Sequence, residues 1–246
     1  MKLSQGILIL SKKEIKGWLS SPSMYIFVAT FSFVIGGVFY NNLLQTAELT
    51  NRTVVDNILA PTFSSINFLL VFYAPILTMG AFVKEKQEHT LDLLMLSNLS
   101  STQIFLGKFI SAIVKGIFII APTIVFPIIL SFSGFEDWMM LLTNYLGIFG
   151  LLLCYLSVGM FASVLTRSYV VAIILSFVIL ISFFILFTTG TVVTSDILSQ
   201  LLRYMSIGQH IVYFARGAIA SFDVIYIISF VTYFSYVSIR ILGVRK

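Results

Sequence analysis

Apolar residues in this chain gather into six long runs separated by short polar segments. The runs cover residues 24–44, 61–83, 109–132, 138–165, 169–189 and 222–242. Each reaches the length of about 20 residues that an α-helix needs to cross about 30 Å of hydrocarbon. The pattern predicts an all-α integral membrane protein with six transmembrane helices. The first run is longer than the apolar core of a secretory signal, and no small-residue cleavage pattern follows it. It is expected to be retained.

The segment before the first run, residues 2–20, has helical periodicity. At about 100° per residue, Lys2, Gln5, Lys12, Lys13 and Lys16 fall on one arc. Leu3, Ile7, Leu8, Leu10, Ile15, Trp18 and Leu19 take most of the opposite side, while Ile9 and Glu14 break the pattern. A basic amphipathic helix ending in Trp suits a membrane surface. The segment is expected to form an interfacial elbow helix, ended by Ser20-Ser21-Pro22-Ser23. The plainer alternative is an ordinary basic flank.

Two other polar segments stand out. Residues 84–99 follow the second run, and their first half is rich in helix formers with no Gly or Pro. On a helix, Glu85, Glu88 and Asp92 would share one face beside Leu91, Leu94 and Met95. Such an acidic stripe is either a docking surface for a basic partner or the solvated side of a connecting helix. Residues 191–221 are too long for a simple link. Their two short apolar stretches cannot cross a bilayer and are expected to form re-entrant or interfacial half-helices around Gly208. Arg203, His210 and Arg216 could line an exit path for an anionic substrate, or simply satisfy carbonyls and headgroups.

Composition excludes a soluble fold. Of 246 residues, 59% are hydrophobic and 10% charged, against about 45–50% and about 25% in soluble domains. The net charge of +5 does not indicate nucleic acid, because the basic residues punctuate the apolar runs. Putting the N-terminus inside brings 12 of the 15 Lys and Arg residues to the cytoplasmic side, leaving Arg52, Arg203 and Arg216 outside. Six spans return the C-terminus to the same side. No run carries a charge at its centre, which disfavours an ion-coupled carrier. Lys115 lies just inside the third run, near enough to snorkel back. A single Cys154 and two distant histidines give neither an intrachain disulfide nor a metal framework.

Catalytic signatures are missing from the sequence. It contains no G-x-x-x-x-G-K-[ST], G-x-S-x-G or H-E-x-x-H. The chain is expected to be no enzyme, with no cofactor of its own.

The ordered motifs resemble the membrane subunits of type-2 ABC exporters, the ABC-2 permease family. That family carries a pattern like E-x-x-x-G-T-L-E-L-L after its second span and L-G-K opening its third. The matching residues are Glu85, Thr90, Leu91, Asp92, Leu93 and Leu94, then Leu106, Gly107 and Lys108. Ser20-Ser21-Pro22, Ala74-Pro75-Ile76-Leu77-Thr78-Met79, Ser206-Ile207-Gly208-Gln209-His210 and Arg216-Gly217-Ala218-Ile219 are most similar to the gliding-motility-associated branch. His89 departs from the family's usual Gly, and Asn98-Leu99 from a common Pro-containing turn, so the segment is expected to be a more continuous helix here.

The resemblance implies one ABC-2-type transmembrane domain over residues 1–246, in a bacterial inner membrane with both termini cytoplasmic. It implies a second permease chain, identical or homologous, and two ABC ATPase subunits holding ATP and Mg. Membrane lipid is a further partner; nucleic acid is not. Glu85, Glu88, Thr90, Leu91, Asp92, Leu94 and Met95 would form the ATPase-coupling helix. The alternatives are a membrane anchor in a mechanical complex and, less favoured, an ion-coupled carrier.

Overall fold

The computed structural model of the chain describes residues 3–46, 54–91, 99–132, 136–193, 195–215 and 217–244. Among these residues every regular element is helical. Helix α1 (Leu3–Leu19) turns at Ser20 and Ser21 into α2 (Pro22–Gln45). Pro22 opens α2, where its fixed φ suits the first turn and its missing N–H would have had no helical partner. A π-helical turn (Val54–Leu59) runs into α3 (Ala60–Thr78), followed by α4 (Gly80–Gln87). Next, α5 (Ser101–Ile120) continues through a 3-10 turn at Pro122 into α6 (Val125–Ser131). The chain ends with α7 (Trp138–Leu165), α8 (Tyr169–Val192), α9 (Asp196–Met205), α10 (Val212–Ala215) and α11 (Ser221–Val244).

Six stretches are long and apolar enough to cross a membrane: Pro22–Gln45, Val54–Gln87, Ser101–Ser131, Trp138–Leu165, Tyr169–Gly190 and Ser221–Val244. They match the six apolar runs, but the second and third begin earlier. The third does so because Ser100 and Gln103 form a capping box. The Ser100 hydroxyl accepts from the Gln103 N–H at 3.2 Å, and the Ser100 N–H donates to the Gln103 amide oxygen at 2.8 Å.

Helix α7 is the hub. In its most apolar window, 78% of residues are buried, against 17% for α8. The contrast follows from side-chain size, since α8 is the more apolar of the two. Small residues along α7 receive its neighbours. A Cβ at Gly147 would meet Phe214 at 2.7 Å, and one at Gly159 would meet the Thr78 hydroxyl at 2.0 Å. Backbones can approach closely only where no side chain intervenes. The bulky, branched face of α8 is left to lipid or to another chain.

Gly159 brings α7 against the break between α3 and α4. Pro75 removes one helical N–H there. The Ser163 hydroxyl enters the break, donating to the Met79 carbonyl and accepting from the Phe82 N–H, both at 3.0 Å. It thereby satisfies backbone groups that the break frees. One turn on, the Lys86 ammonium donates to the Ser163, Val164 and Thr166 carbonyls at 2.5–2.9 Å. These carbonyls belong to the end of α7, where helical partners run out and a cation is favoured.

The expected continuous helix over 84–99 does not form. α4 ends at Gln87, and His89 adopts a φ of 54°. The Thr90 N–H then donates to the Glu85 carbonyl at 2.9 Å. This is a Schellman ending, in which the residue after the cap takes the left-handed conformation. That conformation favours Gly, the residue at this position in the motif that the sequence resembles. His is one of the few other residues that visits it, so the substitution preserves the break instead of removing it.

Candidate functional site

The residues after α4 acquire their surroundings from α1 and α5. Gly107 lies against α1, where a Cβ would meet Leu10 at 3.0 Å and the Ile7 carbonyl at 3.2 Å. This close approach brings the next residue, Lys108, to the face of α1 that carries Glu14. The Lys108 ammonium is 3.2 Å from Glu14 and 2.5 Å from Glu85, and its side chain is only 3% exposed. It also lies over the Phe82 ring, 5.5 Å from the centroid. One buried cation therefore joins α1, α4 and α5.

The electrostatics match this arrangement. Burial pushes the Glu14 carboxyl up, but Lys108 beside it more than offsets this, with help from Lys115 and Lys13. The group is held below its ordinary value. Glu85 keeps its second carboxylate oxygen buried and without a hydrogen bond. A single ammonium holding two carboxylates leaves one acceptor position unserved.

The predicted coupling residues separate. Glu85 faces inward to Lys108 and so leaves the expected acidic docking stripe, because α5 supplies a buried cation on that side. Glu88 is exposed, Thr90 is half-buried, and Leu91 packs into the core at 7% exposure. Asp92, Leu94 and Met95 lie outside the described residues. The bridge itself was missed, although Glu14 signalled it as the charge that interrupts the apolar arc of α1. The contacts of Lys86 and Ser163 left no comparable mark in the sequence.

A second polar cluster lies at the far end of the bundle. α9 packs back against α8. Arg203 donates through Nε to the Gly190 carbonyl at 3.0 Å, and Ser199 donates to the same carbonyl at 2.6 Å. His210 is 1% exposed. Its Nδ1 is 2.7 Å from an Asp223 carboxylate oxygen and its Nε2 is 2.9 Å from the Tyr204 carbonyl. Tyr226 stacks on the ring at 3.8 Å between centroids and donates to the Met205 carbonyl at 2.7 Å.

Within this chain His210 is enclosed by Asp223, Tyr204 and Tyr226. It locks the α9 segment onto α11, and Arg203 caps the end of α8. Arg216 lies outside the described residues. The sequence paired neither histidine with a carboxylate. Asp223 stands at the start of the last apolar run, where nothing in the sequence marks it for burial, yet it is fully buried.

Among curated proteins, none matches this sequence. At the family level there is a match to the ABC-2 family transporter proteins over residues 8–242. That range holds the Lys108 bridge, the His210 cluster and all six spans apart from the last two residues of the sixth. The chain is a multi-pass membrane protein, and it belongs to the ABC-2 transporter family.

Proposed function

We propose that this chain is the permease of an ATP-driven exporter whose energy comes from a separate ABC ATPase. Family membership points to a permease component, and such components work with an ABC ATPase. The direction, the docking segment and the subunit arrangement are our reading. The Lys108 bridge carries it. The base of the 88–99 segment is tied through one buried ammonium to both α1 and α5. Displacing the segment would therefore move three helices together, as coupling to an ATPase requires.

On this reading, exposed Glu88 leads the docking contact with half-buried Thr90, joined by Asp92, Leu94 and Met95, while buried Leu91 anchors the segment to the core. The 88–99 segment and both termini face the cytoplasm of a bacterial cell, and α1 lies at the inner membrane surface as an elbow. Two permease chains pair, and two ATPase subunits beneath them hold ATP and Mg. The α9–α10 segment is a re-entrant structure at the outer exit. The motif order is most similar to the gliding-motility-associated branch, which does not by itself assign gliding.

Co-purification with the cognate ATPase tests the docking face. Glu88→Lys combined with Asp92→Lys should leave membrane insertion intact and reduce the ATPase recovered. Unchanged recovery would refute that face. A reconstituted complex whose ATP hydrolysis responds to no candidate substrate would instead favour the anchor.

A further inference from the structure

A cleft of about 440 Å³ opens beside the Lys108 bridge, between α1, the start of α2, the α3–α4 break and α5. It is far larger than a single water or ion requires. Lys13, Lys84, Lys108 and Lys115 line it, with Glu14 as the only acidic lining residue. Counting Glu85, which pairs with Lys108 from just outside the lining, lysines still exceed carboxylates by two. The lining also includes the apolar Trp18, Phe27, Ile76 and Leu77.

Two polar groups in this cleft are not satisfied by the protein. Ser111 is 1% exposed, lines the cleft, and its hydroxyl has no hydrogen-bond partner. Lys115 lies seven residues beyond Lys108 on α5, about 10 Å deeper along the span. Among the described residues it makes no direct ion pair or hydrogen bond, and it feels Glu14, already held by Lys108, only at longer range. An ammonium within a membrane span is costly, and such a residue ordinarily marks a ligand or partner. A buried hydroxyl without a partner is equally anomalous.

We propose that this cleft binds the phosphate of an anionic lipid headgroup. Lys115 and Ser111 contact the phosphate oxygens, Lys13 and Lys84 supply attraction at the mouth, and the acyl chains follow Trp18, Phe27 and Leu77. Basic pockets between membrane helices are suited to anionic headgroups. A hydroxyl adds a donor that a phosphate oxygen accepts. The apolar part of the lining favours a lipid over free phosphate. The lipid would fix α1 against the α3–α4 break independently of any ATPase.

The test uses the purified full-length chain in detergent, titrated with phosphatidylglycerol, phosphatidylcholine or inorganic phosphate and read by native mass spectrometry. The wild type should retain phosphatidylglycerol about tenfold better than phosphatidylcholine, and millimolar inorganic phosphate should not displace it. Lys115→Gln should abolish that preference. Ser111→Ala, which removes only the hydroxyl, should weaken it severalfold. Lys12→Gln, an equal charge change on the exposed face of α1, should leave it intact. The proposal is overturned if Lys115→Gln and Ser111→Ala both keep the full preference. It is also overturned if Lys12→Gln weakens binding as much as Lys115→Gln, or if inorganic phosphate displaces the lipid.

Discussion

Lys108 donates to Glu14 at 3.2 Å across 94 residues of sequence. The contact turns an amphipathic helix that could merely float on a membrane surface into a fixed part of the bundle. The same ammonium holds Glu85, so the three charges form one unit. Removing the central cation and removing one carboxylate are therefore very different changes.

Lys108→Met leaves Glu14 and Glu85 facing each other without their shared cation. Breaking a buried pair from one side costs about 3–5 kcal/mol. Glu14→Gln keeps the hydrogen bond and leaves Glu85 paired, and the site is partly open to solvent. It should cost about 1 kcal/mol. Thermal unfolding of the purified variants should rank Lys108→Met well below Glu14→Gln. Equal losses would mean that the cation is not shared.

The Glu14 carboxyl gives the α1 contact a defined pH dependence. Its folded value lies below the ordinary 4.5, because Lys108 outweighs the effect of burial. A depressed carboxylate stabilises the fold above its unfolded value, and that stabilisation is lost as pH falls through the folded value. α1 should stay docked from neutral pH down to the ordinary carboxyl range and loosen only in stronger acid. Trp18, edge-on to Phe118 at 6.2 Å, reports on this contact. In a Trp138→Phe background its emission should hold steady through mildly acidic pH and shift only below about 4.5.

His89 occupies a left-handed position without the residue that fits it best. His89→Gly relieves backbone strain but makes the unfolded chain more flexible. The net gain should be about 0.5–1 kcal/mol. His89→Val, branched at Cβ, should destabilise instead, since φ above zero is worst for such residues. Both follow from thermal unfolding. If the Gly variant were less stable, the Schellman ending would be ruled out.

The spans were legible in the sequence because a bilayer imposes a length that apolar runs report directly. The end of α4 was misread for a local reason. Glu85, Glu88 and Asp92 share a face only if the helix continues, and nothing before His89 announces the break. The inward turn of Glu85 was hidden for a non-local reason, since Lys108 and Glu14 come from distant segments. Glu14 itself was visible as an anomaly on an apolar arc, but an anomaly does not name its partner. The centrality of α7 rests on small residues such as Gly147 and Gly159, which permit close approach but do not by themselves say which helix arrives. Asp223 shows the opposite failure. Its position at the start of a span gives no sign of burial, which comes from His210 in the segment between α9 and α10.

The His210–Asp223 pair permits a test of how that segment is held. The Tyr204 carbonyl can only accept, so His210 Nε2 donates to it and Nδ1 is left to share a proton with Asp223. Both side chains are essentially buried, and the second Asp223 oxygen has no hydrogen-bond partner. His210→Phe preserves an aromatic ring against Tyr226 but strands the carboxylate, which should cost about 3–5 kcal/mol. His210→Phe with Asp223→Leu removes both polar partners, losing only the link to Tyr204. The double variant should recover at least half of the single variant's loss, because replacing a buried pair outright is far cheaper than breaking it. Unfolding midpoints of the wild type, each single variant and the double variant complete the cycle. Losses that simply add would mean that His210 and Asp223 contribute separately, and that their short contact does not lock α9 to α11.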